Sequence, residues 1–230
     1  RDCLLSRGLG DVYKRQPSSK RLMLSVIGVI CGLTVLFYGV VFIANKVKNN
    51  KNDPEPSKYT FDYANYDENI FDDAVYMGYD RGVTYTNGNL TVTVDRDHLD
   101  DVSEAYRETV LFMFDYIDAM INGDVQKFNS MYAASFFTDG RTPKERFTQQ
   151  KIYAANIVAV DNWYDDSGSS AVTYYNIGID YMIKNNNGTL RDDMGSDAVR
   201  RKYLTIRKDA DGVFAITAES YFSSLEENRK

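Results

Sequence analysis

The first candidate for catalysis in this sequence is its one histidine, His98, in the stretch DRDHLDD. An imidazole titrates near neutral pH and can act as a general base or as a metal ligand. The acids around His98 predict a solvated loop ahead of a helix, distant from any pocket. Serine–histidine–acid triads and histidine-based metal sites need partners that a single histidine does not supply. The pattern therefore favours no catalytic role for His98.

A carboxylate among apolar walls is the second chemistry to test, because desolvation adjusts its pKa for proton transfer. Asp180 lies in AVTYYNIGIDYMIK, where alternating side chains predict a strand with two different faces. The odd-numbered positions form the predicted core face: Tyr175, Ile177, Ile179, Tyr181 and Ile183. Asp180 is on the opposite face and is predicted to point away from the helices, unless a bulge at Gly178 shifts the register.

Metal and cofactor sites have little support in the sequence. Asp209 and Asp211 in DADG are predicted to form a hairpin turn, because a calcium loop needs further ligands and a closing glutamate. Of the two cysteines, Cys3 lies in the first 16 residues, which we expect to be foreign to the protein, and Cys31 lies in an apolar run. The soluble part of the chain therefore has no cysteine for a disulfide or a thiolate site. We predict no metal and no cofactor.

The elements that would position these residues begin with a β-hairpin in VTYTNGNLTVTV, with a two-residue turn at Asn87 and Gly88. An apolar stripe over residues 102–122 predicts a long helix, with Asp101 and Glu104 as a capping box and a stop at Asn122 and Gly123. Asp124 is expected to cap a short second helix. Pro143 suits the first turn of a third helix that runs to about Ala154.

A period of two follows and predicts four strands at 157–163, 170–184, 199–208 and 213–222. Helices followed by an antiparallel meander predict an α+β domain, with helices packed on a curved antiparallel sheet. This domain is expected over residues 101–223, behind a strap and the β-hairpin at 59–100 and ahead of a tail at 224–230.

A single transmembrane helix is predicted before the domain. The apolar run begins at Leu22 and ends at Ala44, and at about 1.5 Å per residue it is long enough to cross the hydrocarbon core of a membrane. Residues 45–58 are polar, contain two prolines and are expected to be a linker. Two basic residues directly precede the run and three closely follow it, so a positive-inside count slightly favours the opposite orientation. We nevertheless expect an extracytoplasmic C-terminal domain, because long domains translocate largely regardless of charge.

Residues 1–16 contain SRGLGDVYKRQ, which resembles a sequencing adapter translated in frame. We therefore expect residues 1–16 to be foreign to the protein and residues 17–21 to be a cytoplasmic remnant.

Acidic side chains dominate the C-terminal part of the chain. From Asp53 onward there are 31 acidic and 18 basic residues, which gives a net charge of −13. Such a surface repels phosphate backbones, so nucleic acid is excluded as an expected partner.

The order of the elements and the passage AMINGDVQKFNSMYAASFF, with Gly123 and Asp124 between two helices, resemble the cone-shaped domains of the nuclear transport factor 2-like superfamily. That resemblance covers roughly residues 100–223 and implies either a noncatalytic domain or a pocket enzyme of the dehydratase or isomerase type. A membrane helix followed by such a cone is also similar in architecture to assembly proteins of conjugation and type IV secretion machines.

Two functions follow as expectations. In the first, the domain binds other envelope proteins as a scaffold, with membrane lipid around residues 22–44 and a second copy of the chain as a further candidate partner. In the second, the cone binds or transforms a small apolar molecule, as a lyase or isomerase would. The residues predicted to line that pocket are Tyr106, Met113, Ile117, Tyr175 and Tyr181.

Overall fold

The computed structural model of this protein describes residues 58–61, 68–138, 140–168 and 170–221. The predicted adapter segment, the membrane helix at 22–44 and the tail at 224–230 lie outside these residues, as does the linker apart from Lys58. None of the helices within the described ranges is both long enough and apolar enough to cross a membrane.

The described residues form an α+β structure around one six-stranded sheet, which confirms the predicted class. Its strands are β1 (Val83–Asn87), β2 (Leu90–Val94), β3 (Ile152–Asp165), β4 (Val172–Ile183), β5 (Lys202–Lys208) and β6 (Phe214–Ser220). The order across the sheet is β2-β1-β3-β4-β5-β6. All neighbours are antiparallel except β1 and β3, which run parallel. The predicted antiparallel sheet is therefore wrong in this respect: the hairpin joins the meander and makes the sheet mixed.

The predicted hairpin is present, but its turn is one residue further along than expected. Asn87 pairs with Leu90, so the loop residues are Gly88 and Asn89. Of these, only Gly88 has a positive φ, at +59°. A turn of the II′ type requires a positive φ at its first loop position alone, where glycine adopts it without strain.

In the ranges that the structure describes, three helices accompany the sheet: α1 (Ala74–Met77), α2 (Arg107–Ile121) and α3 (Val125–Ser130). Short 3-10 turns occupy Ile70–Asp72, Glu104–Tyr106 and Ala134–Phe137. The side chain of Asp124 caps α3 as predicted, because it accepts a hydrogen bond from the Lys127 amide. The predicted capping box at Asp101 is wrong: the chain enters α2 through a 3-10 turn preceded by Ser103, which makes no side-chain cap bond.

The third helix predicted from Pro143 to about Ala154 is also wrong. Residues 141–151 have no helical structure, and β3 already begins at Ile152. Tertiary hydrogen bonds hold this segment extended: the Lys144 amide donates to Asn129, and the Gln150 amide donates to the carbonyl oxygen of Ile121. Burial of Phe147 in the core adds to these contacts, and together they override the local helix signal.

The core lies between α2 and one face of the sheet. The helix contributes Val110, Met113, Ile117 and Met120 to the same buried cluster as the odd-numbered residues of β4. All five predicted core-face residues of that strand are buried. The predicted direction of β4 is thereby confirmed.

Gly123 joins the long helix α2 to the short helix α3 and packs against the segment that leads into β3. Its φ is +65°, the Gly123 amide donates to Met120, and the next amide, of Asp124, donates to Ala119. This pair of bonds is the Schellman arrangement that ends a helix. A Cβ atom on Gly123 would lie 2.9 Å from the backbone nitrogen of Gln149, so the glycine also permits close contact between two backbone segments.

We predict that Gly123→Ala lowers the free energy of unfolding more than Gly212→Ala does. Gly212 has a φ of +80° with nothing within 4 Å of an added Cβ, so alanine there meets only backbone strain of about 1–2 kcal/mol. Gly123→Ala adds overpacking of about 1–3 kcal/mol. Urea denaturation of both variants measures the difference; equal losses would show that the contact with Gln149 does not constrain the fold.

Candidate functional site

The five residues predicted to line an apolar pocket are all buried in the hydrophobic core. Tyr106 and Tyr175 contact each other, with ring centroids 5.7 Å apart. Two clefts lie on the described surface, of about 490 and 600 Å³, and neither is lined by any of the five. A ligand site among Tyr106, Met113, Ile117, Tyr175 and Tyr181 therefore stays a prediction.

The structure places His98 and Asp180 outside the core. The His98 side chain is 78% exposed, and its Nδ1 atom lies 2.9 Å from Asp95. Asp180 is paired with Arg201, whose Nε atom donates to the carboxylate over 2.8 Å, on the face of β4 opposite the core. Both placements agree with the sequence analysis, and neither residue is available to chemistry in the interior.

An ion pair whose side chains are 14% and 23% exposed lies instead on the core side of the sheet. The Lys202 ammonium on β5 is 3.1 Å from the Glu219 carboxylate on β6. The Tyr132 hydroxyl, just after α3, donates to the other carboxylate oxygen of Glu219 over 2.5 Å. The Tyr116 hydroxyl of α2 is 3.4 Å from that of Tyr132. One helix, the segment after α3 and two strands thus contribute to one polar network, which we call the interior network (Tyr116, Tyr132, Lys202 and Glu219).

Charge pairing decides the protonation of this network. Burial favours a raised pKa for Glu219, but attraction to Lys202 and the hydrogen bond from Tyr132 outweigh it and hold that pKa below its ordinary value. Burial acts on Lys202 in the opposite direction and lowers its pKa, but the combined influence of Glu219, Tyr116 and Tyr181 outweighs burial and raises the lysine pKa. Burial raises the pKa of Tyr132 well above its ordinary range. At neutral pH the network is a carboxylate, an ammonium and neutral phenols.

A second polar cluster borders the core next to this network. The Arg191 guanidinium makes two bonds to Asp193, of 2.6 and 2.9 Å, and one of 3.1 Å to the Tyr181 hydroxyl. Tyr181 is one of the predicted pocket residues, and its hydroxyl is used in this hydrogen bond within the domain. Two-pronged binding of a carboxylate by an arginine is strong and directional, and it holds the loop after β4 in place.

The sequence contained only part of the signal for the interior network. Lys202 is two residues from Leu204 and four from Ile206, so it lies on the same face of β5 as these buried residues. Alternation could therefore have placed it inward. Glu219 could not be placed this way. Ile206 pairs with Ile216 but Thr205 pairs with Ala218, so a bulge in β6 turns Glu219 to the core face.

The opposite face of the sheet carries an aromatic row, defined as Trp163, Tyr174 and Arg207. Trp163 pairs with Tyr174 across β3 and β4, and Tyr174 pairs with Arg207 across β4 and β5. The Trp163 and Tyr174 rings are stacked with centroids 5.0 Å apart. Trp163 is 42% exposed, and the adjacent Tyr164 is 64% exposed. Trp, Tyr and Arg are the residue types that most often supply the binding energy of protein interfaces.

In the part of the chain that the structure describes, no three histidine, cysteine or acidic side chains lie close enough together to bind a metal ion. DADG is a turn as predicted: an Asp209 carboxylate oxygen accepts hydrogen bonds from the Asp211 and Val213 amides.

Comparison of the chain with known protein families, with curated protein sequences and with solved structures finds no match. The proposals below therefore depend on this structure and sequence alone.

We predict that Lys202→Met lowers the free energy of unfolding by about 3–5 kcal/mol, because it leaves the Glu219 carboxylate buried without its partner. The double variant Lys202→Met with Glu219→Leu should recover most of the loss. Arg96→Met is the control for an exposed ion pair: Arg96 is 42% exposed and its partners Asp115 and Asp118 are 39% and 52% exposed, so this variant should lose under about 1 kcal/mol.

The difference in unfolding free energy between wild type and Lys202→Met should also depend on pH. Because the folded-state pKa of Glu219 is lowered, its contribution to stability is present above its ordinary value of 4.5 and is lost as pH falls through the lowered value. The difference between wild type and Lys202→Met, measured by denaturant unfolding, should shrink on acidification. A difference that is constant from neutral to strongly acidic pH would contradict the ion pair.

We predict that His98 titrates above its ordinary pKa of 6.5, because its hydrogen bond to Asp95 favours the imidazolium. As the one histidine in the chain, it gives a single imidazole signal in an NMR titration. Asp95→Asn should return the pKa toward 6.5. An unchanged pKa in this variant would mean that Asp95 is not the partner in solution.

Proposed function

We propose that this protein is a single-pass membrane protein, anchored through residues 22–44, whose extracytoplasmic C-terminal domain binds other envelope proteins as a scaffold. The setting we favour is an envelope or conjugative secretion complex. The apolar run at 22–44 supports the anchor, and the net negative charge after it argues against a nucleic-acid partner.

The observation that carries this proposal is the aromatic row. Trp163, Tyr174 and Arg207 lie side by side on three adjacent strands, on the face away from α2. A row of this composition offers stacking area and hydrogen-bond donors to a partner protein, and rigid strands hold it in position before binding.

The interior network argues against the alternative, a lyase or isomerase that works inside the cone. A general base is most effective when its pKa lies near the working pH. Glu219 is the buried acid best placed for such a role, but Lys202 and Tyr132 lower its pKa and occupy both of its oxygens. Binding of a small apolar molecule among Tyr106, Met113, Ile117, Tyr175 and Tyr181 would require that their packing open.

We further propose that the domain is a cone of the nuclear transport factor 2-like type. The support is the succession of the long helix α2, a Gly-Asp junction, the short helix α3 and then β3 to β6, with α2 packed on one face of the sheet. A noncatalytic member of that superfamily fits the interior network better than an enzyme does.

The test places a photo-crosslinking aromatic amino acid at Trp163, in the aromatic row and 42% exposed, in membranes of the native host. We expect discrete adducts heavier than the monomer, because a scaffold holds its partner against this surface. Val199 is the matched control: it is 50% exposed but lies ahead of β5, at the opposite end of the sheet.

Arg207→Ala in the same background should abolish the Trp163 adducts while the domain stays folded, as judged by circular dichroism. Monomer alone at Trp163, or the same adducts from Val199, would overturn the proposal. An adduct with the mass of two chains would identify a second copy as the partner.

A further inference from the structure

The cleft of about 490 Å³ contains an arrangement of charges that the scaffold proposal does not use. Three parts of the chain form it: the segment before α1, the segment that enters β3, and the end of β4 with the loop after it. Most of its lining side chains are polar. The ones that matter for binding are Glu68, Asp73, Lys151, Lys184 and Asn185.

Asp73 is the only acid in close contact with two lysines at the bottom of this cleft, among the residues that the structure describes. Its Oδ1 atom accepts hydrogen bonds from the Val75 and Tyr76 amides and caps α1. Its Oδ2 atom is 2.6 Å from the Lys184 ammonium and 3.0 Å from that of Lys151. One carboxylate therefore faces two ammonium groups, which leaves an excess positive charge.

Within the described residues, Asp73 accepts one of the three N–H donors of each ammonium group, and the Lys184 ammonium also lies over the Tyr79 ring, 5.9 Å from its centroid. The Lys151 and Lys184 side chains are only 10% and 13% exposed, and an ammonium has three N–H donors. Within the described part of the chain the one other acid near them is Glu68, which lies 3.8 Å from Lys151, beyond hydrogen-bond distance, and is half-exposed. Donors on a nearly buried cation require an acceptor, from water or from a ligand.

The two lysines are held by the sheet. Ile152 pairs with Ile183 at the start of the β3–β4 ladder, and the Lys184 amide donates to the carbonyl oxygen of Lys151 over 2.9 Å. Asn185 follows with a φ of +50°, a left-handed conformation that is rare outside glycine and that accumulates at functional sites. The cationic floor is thus carried by paired strands, whose geometry is set before any ligand arrives.

We propose that this cleft binds a small zwitterion of the α-amino-acid class. The ligand carboxylate would bind the remaining donors of Lys151 and Lys184, and its ammonium would point outward to Glu68 at the rim. Excess positive charge at the floor and a carboxylate at the opening match that charge distribution, and the volume lies in the range of small-molecule sites.

The first measurement is ligand-observed NMR with the full chain in nanodiscs and each standard L-α-amino acid at up to about 10 mM. We expect saturable binding of at least one. That amino acid is then compared with its own analogue that lacks the ammonium and with the one that lacks the carboxylate. Both should bind less tightly, the second most of all. Absence of binding by every amino acid overturns the proposal.

Variants of the two charges at the floor give effects of opposite sign. Lys184→Met should weaken binding by more than about tenfold, because the carboxylate loses a partner. Asp73→Asn should tighten binding by about tenfold, because both ammonium groups lose their counter-charge while asparagine can still cap α1. A purely structural role for Asp73 predicts weaker binding in both variants, and that result would overturn the proposal.

Glu68→Gln tests the outer contact without affecting the fold, since this side chain is half-exposed. It should remove the preference for the amino acid over its analogue without the ammonium and leave the affinity of that analogue unchanged. A preference that survives Glu68→Gln would show that the rim does not recognise the ammonium. None of these outcomes depends on the aromatic row, so this proposal and the scaffold proposal fail independently.

Discussion

The strands β3 and β4 pair over nearly their whole length, from Ile152 opposite Ile183 to Asp165 opposite Val172. This register fixes which side chains of β4 enter the core beneath α2 and which form the aromatic row on the other face. It also brings Lys151 and Lys184 together where the pairing begins. A shift of one residue would exchange the two faces of β4 and separate the lysines, so core, surface row and cleft all depend on one alignment.

The interior network shows how the domain contains charge within its core. An ion pair removed from water stabilises a fold only when its remaining hydrogen-bonding groups are also satisfied. Tyr132 supplies that bond to Glu219, and Tyr132 is itself held at β6, where the amide of Ala133 donates to the carbonyl oxygen of Ile216. The segment after α3 is therefore fastened to the sheet by backbone and side chain together. This explains why a polar network can lie among aromatic rings without opening a pocket for chemistry.

Local patterns in the sequence were sufficient for much of the fold. Alternation placed the faces of β4, and the apolar stripe located α2 to within a few residues at its start. The Asn122–Gly123 stop and the cap at Asp124 were visible because they depend only on neighbours in the chain. These signals are short-range, and they predicted an α+β domain correctly.

What the sequence could not predict depends on contacts between distant residues. The extended path of residues 141–151 is imposed by Asn129 and Ile121, and nothing in the segment itself encodes those partners. The bulge that turns Glu219 inward is a property of two strands together. The cleft combines Asp73 with Lys184, which are 111 positions apart. Of the residues in these sites, Lys202 is the one that alternation within a single strand could have placed.

The parallel pairing of β1 with β3 has a consequence for biosynthesis. Thr84 and Asn156, which hydrogen-bond across this pair, are 72 positions apart, so the hairpin leaves the ribosome well before the strand that completes it. At rates of about 5–20 residues per second, the wait is roughly 4–14 s. During that interval two uncharged, β-branched strands are without their neighbour, and a chaperone or the translocation machinery would have to shield them until the rest of the polypeptide emerges.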